Sequence, residues 1–288
     1  MLIQVTTLAF GLLPIAFATR EFVNHGTTSG WPSTWIDPNT KGYVENSTSA
    51  FYGKSQSLKF GQEYLGSSYE GRYHAEKIYS NGYKRDEEKY YGFAFRLHSE
   101  WEFDPQSYNL AQFGANFNDI KWNGESCDDF SPTTMIWLNQ TKLFARTKHG
   151  QMIKGQKCPP DDQKWNCDLG PNCQVTESFQ LKSETSSIGE IKAGVWYRLT
   201  FRVKWKSDDT GIFQAWLNGT QVADKSKLKT TLLDDHRDYE FRVGLYANSW
   251  HDEKKMVGSQ PKRQLWIDEI GVGSTFADAD PDDIKKSA

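Results

Sequence analysis

Tyr197, Leu199, Phe201, Val203 and Trp205 alternate with Arg198, Thr200, Arg202 and Lys204. An apolar residue at every second position buries one face of a strand and leaves the other to water, which predicts a half-buried antiparallel β-strand over Trp196–Trp205. Shorter segments read the same way: Ser57–Phe60, Arg72–Ile78, Lys89–Leu97, Tyr108–Phe113, Thr133–Leu138, Lys142–Thr147, Ile212–Leu217, Tyr239–Ala247 and Gln264–Val272. Asp208-Asp209-Thr210-Gly211 predicts a turn and Asn218-Gly219 a hairpin. Helical periodicity is confined to one turn near Lys225–Leu233, and the Gly/Ser/Thr-containing stretch before Ser49 reads as loop. Many short strands between turn residues predict an all-β fold, a single-domain β-jelly-roll sandwich of two antiparallel sheets.

Three segments place polar groups where a core or a plain solvent face would not. In a strand, residues i, i+2 and i+4 share a face. Gly71–Lys77 therefore aligns Arg72, His74 and Glu76. Leu110–Asn116 aligns Gln112, Gly114 and Asn116, and Phe241–Asn248 aligns Arg242, Gly244, Tyr246 and Asn248. Such a face suits removal of a proton next to a carboxylate and stabilisation of the charge that results. A lone strand His or Tyr is more often structural, with a satisfied polar tip, so the combination carries the reading.

The charge balance, 34 basic against 37 acidic residues and a net charge of -3, argues against nucleic acid as a partner, because phosphate binding wants a basic excess. It leaves room for an acidic polysaccharide in a locally basic groove. The 11 Trp, 13 Tyr and 17 Phe suit stacking on sugar rings, although antiparallel sheets favour aromatics in any case.

Residues 1–18 resemble a secretory signal peptide: apolar from Leu8 to Ala18, with Ala16-Phe17-Ala18 as a small-x-small cleavage site but no basic n-region. The run is short for a membrane helix, so the expectation is a secreted, extracellular monomer without a membrane partner. A single β-jelly-roll domain is expected over 19–276 and a frayed acidic tail over 277–288. Cys127, Cys158, Cys167 and Cys173 form an even set expected to make two disulfides, with three possible pairings. They staple a long loop at about 150–187. Asn46, Asn139 and Asn218 open N-x-Ser/Thr sequons for glycosylation.

Gly53–Phe60 resembles the first core strand of jelly-roll polysaccharide lyases, and Leu265–Gly273 resembles their closing strand. Between them Arg72-Tyr73-His74-Ala75-Glu76, Ala111-Gln112-Phe113, Trp196-Tyr197-Arg198-Leu199 and Gly244-Leu245-Tyr246 follow in the family's order. The chain is most similar to the fungal glucuronan lyases (polysaccharide lyase family 20), with heparin-lyase-like and alginate-lyase jelly rolls more distant. The likeness spans Phe51 to Gly273, and the Cys-rich insertion departs from it.

The resemblance implies β-elimination on a uronic-acid polymer, with His74, Gln112 and Tyr246 catalytic. Gln112, with Arg72, Asn248 or another donor, would neutralise the uronate and stabilise the intermediate. Tyr246 is the expected acid and, in a syn elimination, also a base, given a phenol pKa lowered beside Arg242 or His74. His74 is the alternative base or a neutralising group. Arg72, Arg96, Arg146, Lys148, Arg242, Asn116 and Asn248 are candidate substrate contacts, and Glu76 a residue to orient His74 or Arg72. In the jelly rolls that this chain resembles, an Asp at the place of Asp268 often holds a structural Ca²⁺; Glu45, Asn46 and the Gly53 carbonyl are candidate co-ligands. Two other classes compete. A glycoside hydrolase needs paired carboxylates, for which Glu76 and Glu240 are available. A non-catalytic binding module needs stacking rings such as Trp137, Trp216 and Trp250.

Overall fold

The computed structural model describes residues 19–53, 56–116, 121–122, 125–126, 132–149, 182–232 and 236–286, with backbone alone at 121–122, 125–126 and 182. The strands are β1 (Arg20–Asn24), β2 (Ser33–Ile36), β3 (Tyr43–Ser47), β4 (Ser57–Glu63), β5 (His74–Tyr83), β6 (Glu88–Leu97), β7 (Ser107–Ala115), β8 (Lys121–Trp122) and β9 (Glu125–Ser126). They continue with β10 (Thr134–Asn139), β11 (Lys142–His149), β12 (Lys182–Glu190), β13 (Trp196–Lys204), β14 (Gly211–Leu217), β15 (Thr220–Leu228), β16 (Tyr239–Tyr246) and β17 (Lys262–Gly273). Three short helices follow late: α1 (Asn248–Asp252), α2 (Phe276–Ala279) and α3 (Pro281–Lys286).

Two antiparallel sheets pack face to face. The first runs β15-β14-β13-β6-β17-β4-β3, with β1 also on β17; the second runs β12-β11-β10-β7-β16-β5-β2. The inward positions of the expected strands fill the space between them. Leu199, Phe201 and Val203 from β13 meet Phe241, Val243 and Leu245 from β16, all at 0% exposure. Tyr83, Trp205 and Tyr239 stack with centroids 3.5 and 4.2 Å apart, a geometry worth about 0.5–1.5 kcal/mol per pair beyond burial. Asn218 (φ 52°) and Gly219 (φ 79°) make the expected tight hairpin between β14 and β15.

Several expectations are corrected. Residues 225–228 are not helical: they extend β15, because pairing with β14 supplies their backbone bonds. The stretch before Ser49 contains β1, β2 and β3, which are too short to show a period in sequence. Of the loop expected at 150–187, residues 182–187 belong to β12; residues 150–181 and all four cysteines lie outside the described residues, as does the segment 1–18. The tail is not frayed. Thr275 and Asp278 form a reciprocal capping box for α2, and Ile284 of α3 is fully buried. The absent side chains of Gly92 and Gly271 are what let Ala279 and Ile284 seat on β6 and β17. Of the sequon residues, Asn46 and Asn218 are exposed and Asn139 is half-buried at the end of β10.

Candidate active site

The outward face of the second sheet is recessed and polar. Across it, Trp35 of β2 opposes Glu76 of β5, and Glu76 opposes Gly244 of β16. Gln112 of β7 opposes Arg242 on one side and Met135 of β10 on the other, and Met135 opposes Arg146 of β11. His74 and Tyr246 are a cross-strand pair, with Asn109 beyond them on β7. His74, Gln112 and Tyr246 are each 3% exposed and Glu76 is 0%, although all four point away from the core. The three residues expected to be catalytic therefore lie on one small patch.

Gln112 and Glu76 meet over the intervening strand. The Gln112 Nε2 donates to both Glu76 oxygens, at 2.7 and 2.8 Å. Gly244 lies between them at φ 152°, and a Cβ there would collide with the Ala75 carbonyl. A bare backbone at this point lets β16 lie close against β5 beneath the two side chains. Glu76 thus orients Gln112. Because the amide nitrogen is consumed by Glu76, the Gln112 carbonyl points elsewhere and receives Asn109 Nδ2 at 3.5 Å.

Asp37, just after β2, holds His74 in place. Its Oδ2 accepts from the His74 backbone N–H at 2.6 Å and lies 2.8 Å from Nδ1. Its Oδ1 accepts from Trp35 Nε1 at 3.1 Å. Burial alone would raise the Asp37 carboxyl, but hydrogen bonds from His74 and Trp35, with the His74 charge when that ring is protonated, hold it below the usual range. The Nδ1 contact assigns the neutral imidazole a proton on Nδ1 and a lone pair on Nε2. The rings of Trp35, His74 and Tyr246 form one stack, with centroids 4.4 and 3.7 Å apart.

Tyr246 has the opposite character to the one expected. Burial pushes its phenol well up, against the pull of the Arg72 charge and with a push from Asp252. Its hydroxyl accepts from Arg72 Nη1 at 3.4 Å. Arg242 does not face it: that guanidinium bonds Glu240 Oε2 at 2.7 and 3.0 Å and lies 4.6 Å over the Trp35 ring. Arg146 stands 5.9 Å from the Trp137 ring, and burial lowers its pKa with only Asp252 opposing. Lys148 is two residues further along the same face of β11.

Of three other expected contacts, two lie elsewhere. Arg96 belongs to β6 of the first sheet, on the far side of the sandwich, because its neighbours Phe95 and Leu97 take the core positions. Asn116 follows the end of β7, four residues and roughly 13 Å along the strand from Gln112. Asn248 leaves β16 and opens α1, where its side chain hydrogen-bonds Asp252, beside Tyr246. Sequence reading missed Trp35, Asp37, Asn109 and Asp252. Asp37 sits in a turn before Pro38, where nothing distinguishes it from a loop residue; Asn109 is masked by a β7 bulge against β10 that breaks its alternation with Gln112.

A second polar spot lies away from this face. Asp268 of β17 is 0% exposed; its two oxygens accept from Phe51 N and Glu269 N, both at 2.9 Å. Burial pushes its pKa up to about 6. A Cβ built on Gly26 would stand 2.5 Å from Asp268 Oδ1 and 2.6 Å from the Gln56 carbonyl, so two oxygens converge where that glycine leaves a gap. This donor chemistry fits a hard cation. Glu45 and Asn46 do not join it: Glu45 pairs with Lys59 at 3.1 Å and Asn46 accepts from Thr28 N at 2.8 Å. Among the described residues no cluster of three or more His, Cys, Asp or Glu forms.

The profile of the family described as polysaccharide lyase matches residues 23–271. The solved structure of endo-β-1,4-glucuronan lyase from the fungus Trichoderma reesei is similar at 38% identity, over 92% of this chain and 99% of that chain, with a TM-score of 0.76. The structure of alginate lyase AlyC3 is similar at 10% identity over 75% of this chain and 74% of that chain, with a TM-score of 0.43, too slight a likeness to carry an argument. Among curated proteins nothing matches. The family profile runs from β1 to β17 and so takes in both sheets and the whole recessed face, and with a relative of that identity along nearly all its length, the chain belongs to the polysaccharide lyase family.

Proposed function

We propose that this lyase cleaves a uronic-acid polymer, β-1,4-glucuronan first among them, by β-elimination on the outward face of the second sheet, outside the cell. The observation that carries the reading is the pairing of an Asp37-held imidazole with a stacked, protonated phenol on one recessed patch. The similarity to a glucuronan lyase supports the choice of polymer.

The chemistry follows from the side chains. The uronate carboxylate must be neutralised before its C5 proton becomes acidic: Arg72 and Arg146 supply charge and Asn109 a donor, its amide positioned by the Gln112 carbonyl. The bare Nε2 of His74 takes the C5 proton, and Asp37 stabilises the imidazolium that forms. The released electron pair makes the C4–C5 double bond and expels O4. The Tyr246 hydroxyl gives its proton to O4, and solvent restores both groups. In a glucuronate ring the C5 hydrogen and O4 depart from the same side, which neighbouring, stacked acid and base can serve together. A phenol held up by burial is a poor base and a competent acid, which supports Tyr246 as the acid and His74 as the base.

Hydrolysis is less well supported. Glu76 is fully buried under Gln112 and Glu240 is tied to Arg242. Four strand residues separate Glu240 from the partner of Glu76, roughly 13 Å, beyond the about 9.5 Å of an inverting pair. Of the rings proposed for simple binding, Trp250 is 1% exposed. A calcium ion, if bound, would rest on Asp268 and nearby carbonyls such as that of Gln56, adding stability and not chemistry.

The test is ultraviolet absorbance during incubation with glucuronan, alginate, heparin and pectate. Elimination creates a conjugated, absorbing uronate and hydrolysis does not. A rise with glucuronan is expected. A rise with another uronan alone would move the substrate, and reducing ends appearing without absorbance would overturn the elimination.

A further inference from the structure

The sheet opposite the active site carries its own row of cations and rings. Lys59 of β4 opposes Trp266 of β17, Trp266 opposes Arg96 of β6, and Arg96 opposes Trp196 of β13. All four alternate with core residues and so point outward. The row extends to Glu45 of β3 at one edge; five strands at about 4.8 Å span roughly 19 Å. Tyr43 and Lys262 flank it, the Lys262 ammonium 5.5 Å from the Tyr43 ring.

Arg96 is the unusual member. Its guanidinium lies 4.7 Å over the Trp266 ring and 5.4 Å from the Trp196 ring. Among the described residues it has no ion-pair or hydrogen-bond partner, and its Nε is buried with none. Burial lowers its pKa and no carboxylate offsets that. Arg146 on the catalytic face shares this state, its Nε also buried without a partner, whereas Arg202 pairs with Glu88 at 2.6 Å and Arg242 with Glu240 at 2.7 Å. A planar fork set over two rings, part desolvated and without a counter-ion, is prepared for an external carboxylate. Trp196 beside it is half-exposed and offers a stacking surface.

We propose that this row, centred on Arg96 with Trp196, Lys59 and Lys262, is a second binding strip for an acidic polysaccharide, on the sheet opposite the catalytic face. A uronan alternates a pyranose face with a carboxylate, and the row alternates ring with cation. A neutral glucan would stack but leave Arg96 unpaired; a protein partner would need an apolar patch that the charged row interrupts. The choice of a uronan rests on the reading of the active site, while the anion-binding role of Arg96 does not. The strip retains polymer near the enzyme and takes no part in the elimination.

Affinity electrophoresis through gels containing glucuronan, alginate or a neutral β-glucan tests this, using the full chain and its Arg96→Gln, Trp196→Ala and Tyr246→Phe variants, each checked for a native melting transition. Arg96→Gln should weaken retention by uronan about tenfold, the worth of one charged hydrogen bond, and leave turnover of short oligomers unchanged. The difference should shrink as salt rises. Arg96→Gln and Trp196→Ala both retained like the parent would overturn the strip, as would equal retention by the neutral glucan. Arg96-dependent retention without turnover of any uronan would uphold the strip and sink the lyase substrate reading instead.

Discussion

The imidazole of His74 lies against the phenol of Tyr246, ring centroids 3.7 Å apart and 20° from parallel. The pair sits directly across β5 and β16 in register, so strand pairing, not loop closure, sets the spacing of acid and base. Rigid elements hold such geometry better than loops do. Tyr246→Phe keeps the stacked ring and removes only the proton donor. It should lower kcat by about 10²- to 10⁴-fold with little change in KM, read as initial rates of absorbance. Wild-type kcat in this variant would remove Tyr246 from the chemistry.

Asp37 accepts from both the backbone and the ring of His74. Asp37→Asn retains the shape but withdraws the negative charge that favours the imidazolium. A loss of about 2 kcal/mol, or about 30-fold in kcat/KM, is expected. Initial rates of absorbance at low substrate read this loss. Parent-like kcat/KM in Asp37→Asn would mean that the Asp37 charge does not assist His74.

Glu76 and Gln112 act as one unit, since the amide of one is held by both oxygens of the other. Glu76→Ala strands a buried amide, and a cost of about 1–3 kcal/mol in stability is expected. In a double-mutant cycle with Gln112→Ala, measured by urea unfolding, the two losses should fall short of additive. Additive losses would show that the contact does not form in solution.

Asp268 has a carboxyl raised from 3.8 to about 6 by burial. An acid with a raised folded pKa binds its proton more tightly when folded. The associated stability is complete below pH about 4 and is lost as pH climbs through about 6, on the order of 3 kcal/mol. In chelator the melting temperature should therefore fall from pH 4.5 to 7 by less in Asp268→Asn than in the parent. If calcium binds here, adding it at pH 7 should restore the parent and leave Asp268→Asn unmoved.

The chain end is part of the core. Ile284 is fully buried and packs where Gly271 has no side chain. Ile284→Ala should cost about 2–5 kcal/mol by urea unfolding, where a frayed tail would show no change.

The sequence by itself determined the sandwich, because period-two alternation in strands such as Trp196–Lys204 commits each strand to a buried face wherever it pairs. It also determined that His74, Glu76, Gln112 and Tyr246 face outward, since alternation settles the face of each strand independently of its partners. Which outward face they shared was a matter of sheet membership. Arg96 obeys the same alternation as Gln112, yet β6 pairs with β13 and β17, so it emerges on the opposite side of the protein. Strand order is fixed by contacts distant in the chain, and local pattern carries no record of them. Tertiary structure alone brought Asp37 from the turn after β2 to His74, and led Gln112 across Gly244 to Glu76. It also raised the Tyr246 phenol where the sequence suggested lowering, because burial outweighs one nearby guanidinium. The last helices escaped the sequence reading for the same reason: an acidic, Pro-containing tail becomes ordered only against the bare backbone of Gly92 and Gly271.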